Sequence, residues 1–226
     1  MGIGNWGEKM NSVNLIYESA PLLAKAAGTT IQLWLSAAII SLSLGVLFGV
    51  LRSRNVRITW ISESLDFVTF VLRGIPFYVQ LLLAYFVVPD LIGINPSAFS
   101  CAIISLGLCS AAYISQIVRA GINAISQGQW EAAIVLGYSK IQALKYVIIP
   151  QVLRNVLPSI NGELDQLLKS TSIISSIGVL ELTRAALNII SIQMRPIPVY
   201  FAIAAIYLTM STGLNLLTTS LERRLS

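Results

Sequence analysis

The side chains able to do chemistry in this chain are few, and they sit in apolar company. Glu163, Asp165 and Lys169 interrupt an otherwise apolar stretch at about residues 156–180, and Arg73 interrupts another at about 61–88. An ionisable group at membrane depth costs roughly 2.5–3.5 kcal/mol on insertion scales, so each needs a partner or a task. Asp165 and Lys169 are four residues apart with the acid first, the favourable order for an ion pair on a helix, and mutual neutralisation is their simplest reading. Glu163 stands apart from that pair. At about 100° per residue it lies about 160° around the helix from Asp165, on a stripe with Gln166 and Ser170. No base on its own helix reaches that face. A carboxylate flanked by an amide and a hydroxyl suits an ammonium or guanidinium group. A bridge from Glu163 to Arg73 is the competing arrangement, and the two can coexist in one site.

Arg73-Gly74-Ile75-Pro76 is the second anomaly. Pro76 removes a helical hydrogen bond and clashes with the carbonyl of Leu72, while Gly74 loosens the same turn. Counted inward from Trp60 at about 1.5 Å per residue, Arg73 lies roughly 20 Å deep, past the middle of a ~30 Å hydrocarbon core. Irregular backbone is tolerated at that depth only when it is buried in protein or lines a cavity. Broken helices in transporters often hold carboxylates there. Arg73 and Gly74 on one side, with Glu163 and Gln166 on the other, describe a site for a solute carrying both a carboxylate and an ammonium group, an α-amino acid. A plain kink with Arg73 paired internally is the alternative.

Enzymatic chemistry finds no support. The chain has no histidine, and its two cysteines, Cys101 and Cys109, fall in one apolar run. Eight residues apart on a helix they cannot form a disulfide, and they read as packing residues, so neither a metal site nor a cofactor is expected. No G-x-x-x-x-G-K-[ST] loop is present, so any ATP is bound by a partner.

The elements that must position these residues are membrane helices. The chain is 55% hydrophobic and 11% charged, against roughly 25% charged in ordinary soluble domains, with a mean hydropathy of +0.76. Twenty-six uncharged residues separate Lys25 from Arg52, 28 separate Asp90 from Arg119, and 26 separate Arg195 from Glu222. Each run exceeds the roughly 20 needed to cross a bilayer. With the two charged stretches they predict an all-α, polytopic membrane protein of five transmembrane helices in a single domain over residues 1–226. Glu8, Lys9 and Glu18 break any apolar core near the start, so the first span reads as retained rather than cleaved. Gly45 and Gly49 form a G-x-x-x-G pair, the spacing of a helix-contact motif.

The net charge of +5 follows from topology rather than from nucleic acid. With the N-terminus outside and the C-terminus in the cytoplasm, the inner side carries Arg52, Arg54, Arg57, Arg119, Lys140, Lys145, Arg154, Arg223 and Arg224. The outer side carries Lys9, Lys25, Arg184 and Arg195. That bias obeys the positive-inside rule, and the inverted topology would violate it. It places the polar interlude at about 123–151 in the cytoplasm. Within it, Ser126 with Gln129 and Ser139 with Gln142 both fit the S-x-x-Q capping form, and Gly137 between them marks a helix end. The local expectation is a helix-turn-helix coupling loop.

That interlude resembles a known loop. Glu131-Ala132-Ala133, three residues, Gly137, nine residues, then Val147-Ile148-Ile149-Pro150 is similar to the loop with which membrane subunits of ATP-binding-cassette importers grip a separate ATPase. Arg73-Gly74-Ile75-Pro76, Ala112-Tyr113 through Arg119-Ala120-Gly121-Ile122, Gly128-Gln129-Trp130 and Leu168-Lys169-Ser170-Thr171-Ser172 extend the match from about Gly28 to Arg224. Together they resemble a permease subunit of the polar amino acid uptake family of these importers. The resemblance implies a dimeric membrane unit (homodimer or sister permease), two ATPase subunits, an extracytoplasmic solute-binding protein, and a mid-membrane site for a small amino acid in a bacterial plasma membrane. Three positions depart from it: Gln116 stands where an acid is usual, Ser170 replaces a common Asp, and Asp165 is an additional acid. The alternative function is a stand-alone secondary transporter or channel. It leaves the coupling loop without a purpose, and no internal repeat supports it.

Overall fold

The computed structural model describes the backbone of residues 4–225 and the side chains of residues 12–220. The side chains of Glu8, Lys9, Arg223 and Arg224, which entered the reading of topology, lie outside the described residues. Among those described, every regular element is helical. Three helices are long and apolar enough to cross a membrane, and up to five spans result if each of two bent helix pairs is one span.

Helix α1 (Gly4–Leu51) has 48 residues, about 72 Å at ~1.5 Å per residue, more than twice the hydrocarbon thickness. The charge-free run predicted only its second half. The first half stays helical because Leu15, Leu23 and Ala26 pack on a surface built by distant residues, Leu182, Ala185, Ala186, Ile189, Val199 and Ile203. Its second half runs against α5, where the two glycines decide the distance. A Cβ at Gly45 would come within 2.6 Å of Ile114, and one at Gly49 within 2.6 Å of Val118. The G-x-x-x-G pair is therefore a helix contact, made within the chain.

The second apolar stretch is broken sharply near its middle. Helix α2 (Thr59–Gly74) and helix α3 (Phe77–Leu82) meet at Ile75-Pro76, and the bend between this pair of segments is 104°. After α3 a π-helical turn at Leu83–Val87 leads into the short α4 (Val88–Ile92), and Gly93 ends it. Helix α5 (Ala98–Ala124) begins at Ser97, whose hydroxyl accepts the Ser100 N–H, and it forms the centre of the bundle.

Helix α6 (Gln127–Val135) and the single turn α7 (Lys140–Ala143) form the interlude, joined at Gly137. Here the residue types act locally. The Gly137 N–H bonds the Ile134 carbonyl and the Tyr138 N–H bonds the Ala133 carbonyl, the two closures of a Schellman end. Gly137 has φ +90°, a conformation that side chains disfavour. Ser139 and Gln142 form the full capping box, whereas Ser126 caps α6 without a side-chain bond. Of the two S-x-x-Q signals, one is a true box.

A π-helical turn at Leu144–Ile148 joins α7 to α8 (Ile149–Ser170), which continues as a 3-10 segment at Thr171–Ile177. The helix that carries the fourth apolar stretch thus starts earlier than residue 156. Past a 48° bend it is followed by α9 (Leu182–Gln193), and α10 (Pro196–Leu225) closes the bundle. Glu181 is fully buried at the start of α9. Its carboxylate accepts the N–H groups of Thr183 and Arg184 and the Tyr207 hydroxyl, and the adjacent Leu182 N–H bonds Thr30 of α1. One acid thereby caps α9 and ties it to α10, which satisfies a carboxylate that burial alone would penalise.

Candidate functional site

The 104° break and helices α5 and α8 enclose a cavity of about 460 Å³. Arg73, Gly74, Glu163 and Gln166 all line it, although they come from segments some ninety residues apart. Leu106, Cys109, Ser110 and Tyr113 of α5, Phe77 of α3, and Leu167 and Ser170 of α8 complete most of the wall. A volume of a few hundred Å³ with mixed polar and apolar walls suits a small organic solute.

Local geometry explains how each charge faces inward. Glu163 Oε1 accepts a 2.8 Å hydrogen bond from the buried Ser110 hydroxyl, which aims the carboxylate at α5. Arg73 Nε donates to the Thr69 carbonyl at 3.2 Å, one turn back on its own helix. Arg73 and Glu163 make no ion pair with each other among the described residues, so the bridge considered from sequence is not the arrangement found. Each charge faces the same cavity with capacity left for another partner.

Asp165 is turned the other way. It pairs with Lys169 and accepts a hydrogen bond from the Ser211 hydroxyl of α10, while Asn161, one turn earlier, bonds Asn215 at 3.0 Å. The two acids of α8 therefore serve opposite faces, one on the cavity and one on a helix contact. With Asp165 neutralised there, the cavity wall carries a single carboxylate and a single cation.

The coupling residues divide by exposure. Glu131 and Ala132 face outward and Gly137 forms the exposed turn, but Ala133 is 2% exposed. Together with Trp130 it packs on Ala143, Leu144 and Ile148. Ala133 holds the two short helices together and is not part of the outer face. That face is formed by Val135, Leu136 and Ile141, which are 86%, 78% and 76% exposed.

The sequence reading passed over several charged groups, Glu63, Asp66 and Glu181 among them. Asp66 lies inside the second apolar stretch and accepts from Arg52 Nε at 2.7 Å and from Arg119 Nη1 at 3.3 Å, with Arg57 at 3.9 Å. Arg52 is 4% exposed and also donates to Ser115. An acid among apolar residues demands partners, and the arginines ending the first and third spans were the available ones. Gln80 was overlooked as well; its amide bonds the carbonyls of Leu72 and Ile75 at the helix break, both at 2.7 Å.

Residues 21–226 match the family described as binding-protein-dependent transport system inner membrane component. The chain is 38% identical over 167 residues to the arginine transport system permease protein ArtQ of Bacillus subtilis, covering 74% of this chain and 75% of that one. It is 34% identical over 216 residues to the glutamine transport system permease protein GlnP of Escherichia coli, covering 93% and 95%. Among solved structures it is similar to an amino acid ABC transporter crystallised with histidines, with a TM-score of 0.83, 36% identity, and 92% and 96% of the two chains covered. The inward-facing MetNI methionine transporter shares the fold at 18% identity, with a TM-score of 0.76 over 91% of this chain and 96% of that one. The chain belongs to the binding-protein-dependent transport system inner membrane component family, and is a membrane-embedded transport subunit rather than an enzyme.

Proposed function

We propose that this subunit carries a polar α-amino acid across a bacterial inner membrane, with Arg73 and Gly74 taking the α-carboxylate and Glu163 and Gln166 the α-ammonium. The observation that carries this reading is the cavity itself, which presents one cation and one anion that do not neutralise each other. Relatives named for arginine and glutamine transport support the solute class. Ser110 holds Glu163 in place, and Gln166 adds an amide one turn along α8.

ATP is hydrolysed by a separate ATP-binding-cassette subunit, and an extracytoplasmic solute-binding protein delivers the solute. The ATPase docks on the α6–α7 loop through Glu131, Ala132, the turn at Gly137 and the exposed apolar rim of Val135, Leu136 and Ile141. Ala133 supports that face from beneath. Two such loops are needed for two ATPase subunits, supplied by a homodimer or by a sister permease. The loop then lies in the cytoplasm, with the N-terminus outside and the C-terminus inside, as the distribution of basic residues requires.

The test is Glu163→Gln, which keeps shape and removes charge. A charge-assisted hydrogen bond contributes roughly 1.5–3 kcal/mol, so apparent solute affinity falls about ten- to a hundredfold. Basal ATP hydrolysis by the assembled complex persists, because the docking loop is untouched, while stimulation by solute weakens. Normal apparent affinity in this variant moves the ammonium away from Glu163 and overturns the assignment.

A further inference from the structure

The wall of the cavity that carries Arg73 and Gly74 is a broken helix, and a break inside a membrane protein releases backbone groups that must be satisfied. In an unbroken helix the Leu72 carbonyl would accept the N–H of residue 76 and the Ile75 carbonyl that of residue 79. Pro76 has no N–H, and the Val79 N–H is diverted to the Pro76 carbonyl at 2.9 Å. Both carbonyls are therefore orphaned by the same proline. The Gln80 amide donates to each of them at 2.7 Å, so a side chain of α3 reaches back across the bend to the end of α2. Cys109 Sγ of α5 lies 3.8 Å from the same nitrogen. Gln80 is half-buried and does not itself line the cavity.

We propose that Gln80 is the positioning residue of the solute site: its two N–H donors clamp the 104° break so that Arg73 and Gly74 face Glu163 across the cavity. A primary amide is suited to this because it offers two donors on one nitrogen with no net charge, so it satisfies two carbonyls without placing an ion behind the wall. An aliphatic residue at this position leaves both carbonyls without partners, and a carboxylate sets further acceptors against them. The clamp links the backbone defect made by Pro76 to the position of the Arg73 guanidinium. Its functional half rests on the reading of the cavity as the solute site, while its structural half does not.

The experiment uses the complete complex in lipid, with Cys101 and Cys109 replaced by alanine. Spin labels are placed at Phe67 and Phe86, which are 68% and 56% exposed on opposite arms of the break. The distance distribution between them and the apparent solute affinity are measured for the parent, Gln80→Leu and Gln80→Lys. The lysine keeps donors for both carbonyls. The leucine variant is expected to give a broader, shifted distribution and an apparent affinity about ten- to a hundredfold weaker, with basal ATP hydrolysis preserved. The lysine variant is expected to restore the narrow distribution; because it adds a cation behind the wall, the distance and not the affinity is its readout. A leucine variant with the parental distribution overturns the clamp. A shifted distribution with unchanged affinity retains the clamp and moves the solute site elsewhere, which separates the two readings. If the leucine variant is not recovered, the lysine variant decides: a parental distribution supports the clamp, and a broadened one, or loss of this variant too, overturns it.

Discussion

Two acids two residues apart on α8 have different partners, and that difference makes them separable by mutation. Asp165 is held by Lys169 and by the Ser211 hydroxyl, so Asp165→Asn removes an ion pair and weakens the contact with α10. Its expected effect is reduced accumulation and a lower unfolding midpoint in detergent, with apparent solute affinity changed less than about threefold, since no solute charge is met there. Glu163→Gln is expected to show the opposite profile. A solute affinity that collapses in the Asp165 variant alone places the site on the α10 side of the helix. Gly137 gives a second residue-level test. Open space surrounds its Cβ position, but φ +90° makes any side chain costly, roughly 1–2 kcal/mol. Gly137→Ala carries that strain with little bulk and is expected to retain transport. Gly137→Arg carries the same strain plus a long cation and is expected to abolish transport while the subunit still inserts. Loss of transport in both variants attributes the defect to backbone strain, and full transport in Gly137→Arg overturns the docking assignment.

Among the elements, α1 and α5 show how small residues set the architecture. Without a hydrophobic drive between helices in lipid, association depends on close packing, and glycine permits the closest approach. Gly49 faces Val118, and a methyl group there would sit 2.6 Å from the Val118 Cβ. Gly49→Ala is therefore expected to lower the unfolding midpoint by several degrees, as overpacking costs about 1–3 kcal/mol. Val118→Ala in the same chain is expected to recover part of the loss. An additive double variant shows that the two sites do not touch. Helices α6 and α7 follow a different rule. They are too short to be stable alone, and they hold because Trp130 and Ala133 bury against Ala143, Leu144 and Ile148.

For the whole molecule, the arrangement has a cavity in the bundle, the proposed solute site, and an exposed apolar rim on the α6–α7 loop, the proposed docking face. The exposed rim sets the choice of a topology probe. A cysteine at Leu136, which is 78% exposed, is accessible where one at the buried Ala133 is not. With Cys101 and Cys109 removed, it is expected to react with a membrane-impermeant thiol reagent only in inside-out vesicles, and to crosslink to the ATPase when that subunit is present. Labelling from outside intact cells reverses the orientation derived from the basic residues.

Much of this was legible from residue types and spacing. Apolar runs longer than a bilayer fix the helical membrane class, because lipid admits only helices and closed barrels, and barrel strands are short and alternate in polarity. Pro76 marked the break, Gly137 the end of α6, and the Ser139–Gln142 pair the cap of α7, since each acts on backbone within a turn of itself. The separation of Glu163 from Asp165 followed from helical periodicity alone. Other features depended on partners far along the chain. The first half of α1 and the ion-pair cluster at Asp66 join distant segments, and the shared cavity of Arg73 and Glu163, expected from their chemistry, is placed by packing among distant helices. The inward turn of Ala133 depends on packing as well. Periodicity tells which residues share a face of one helix; only packing among helices decides what that face meets, and at membrane depth that choice determines whether a charge is a structural tie or is left free to hold a solute.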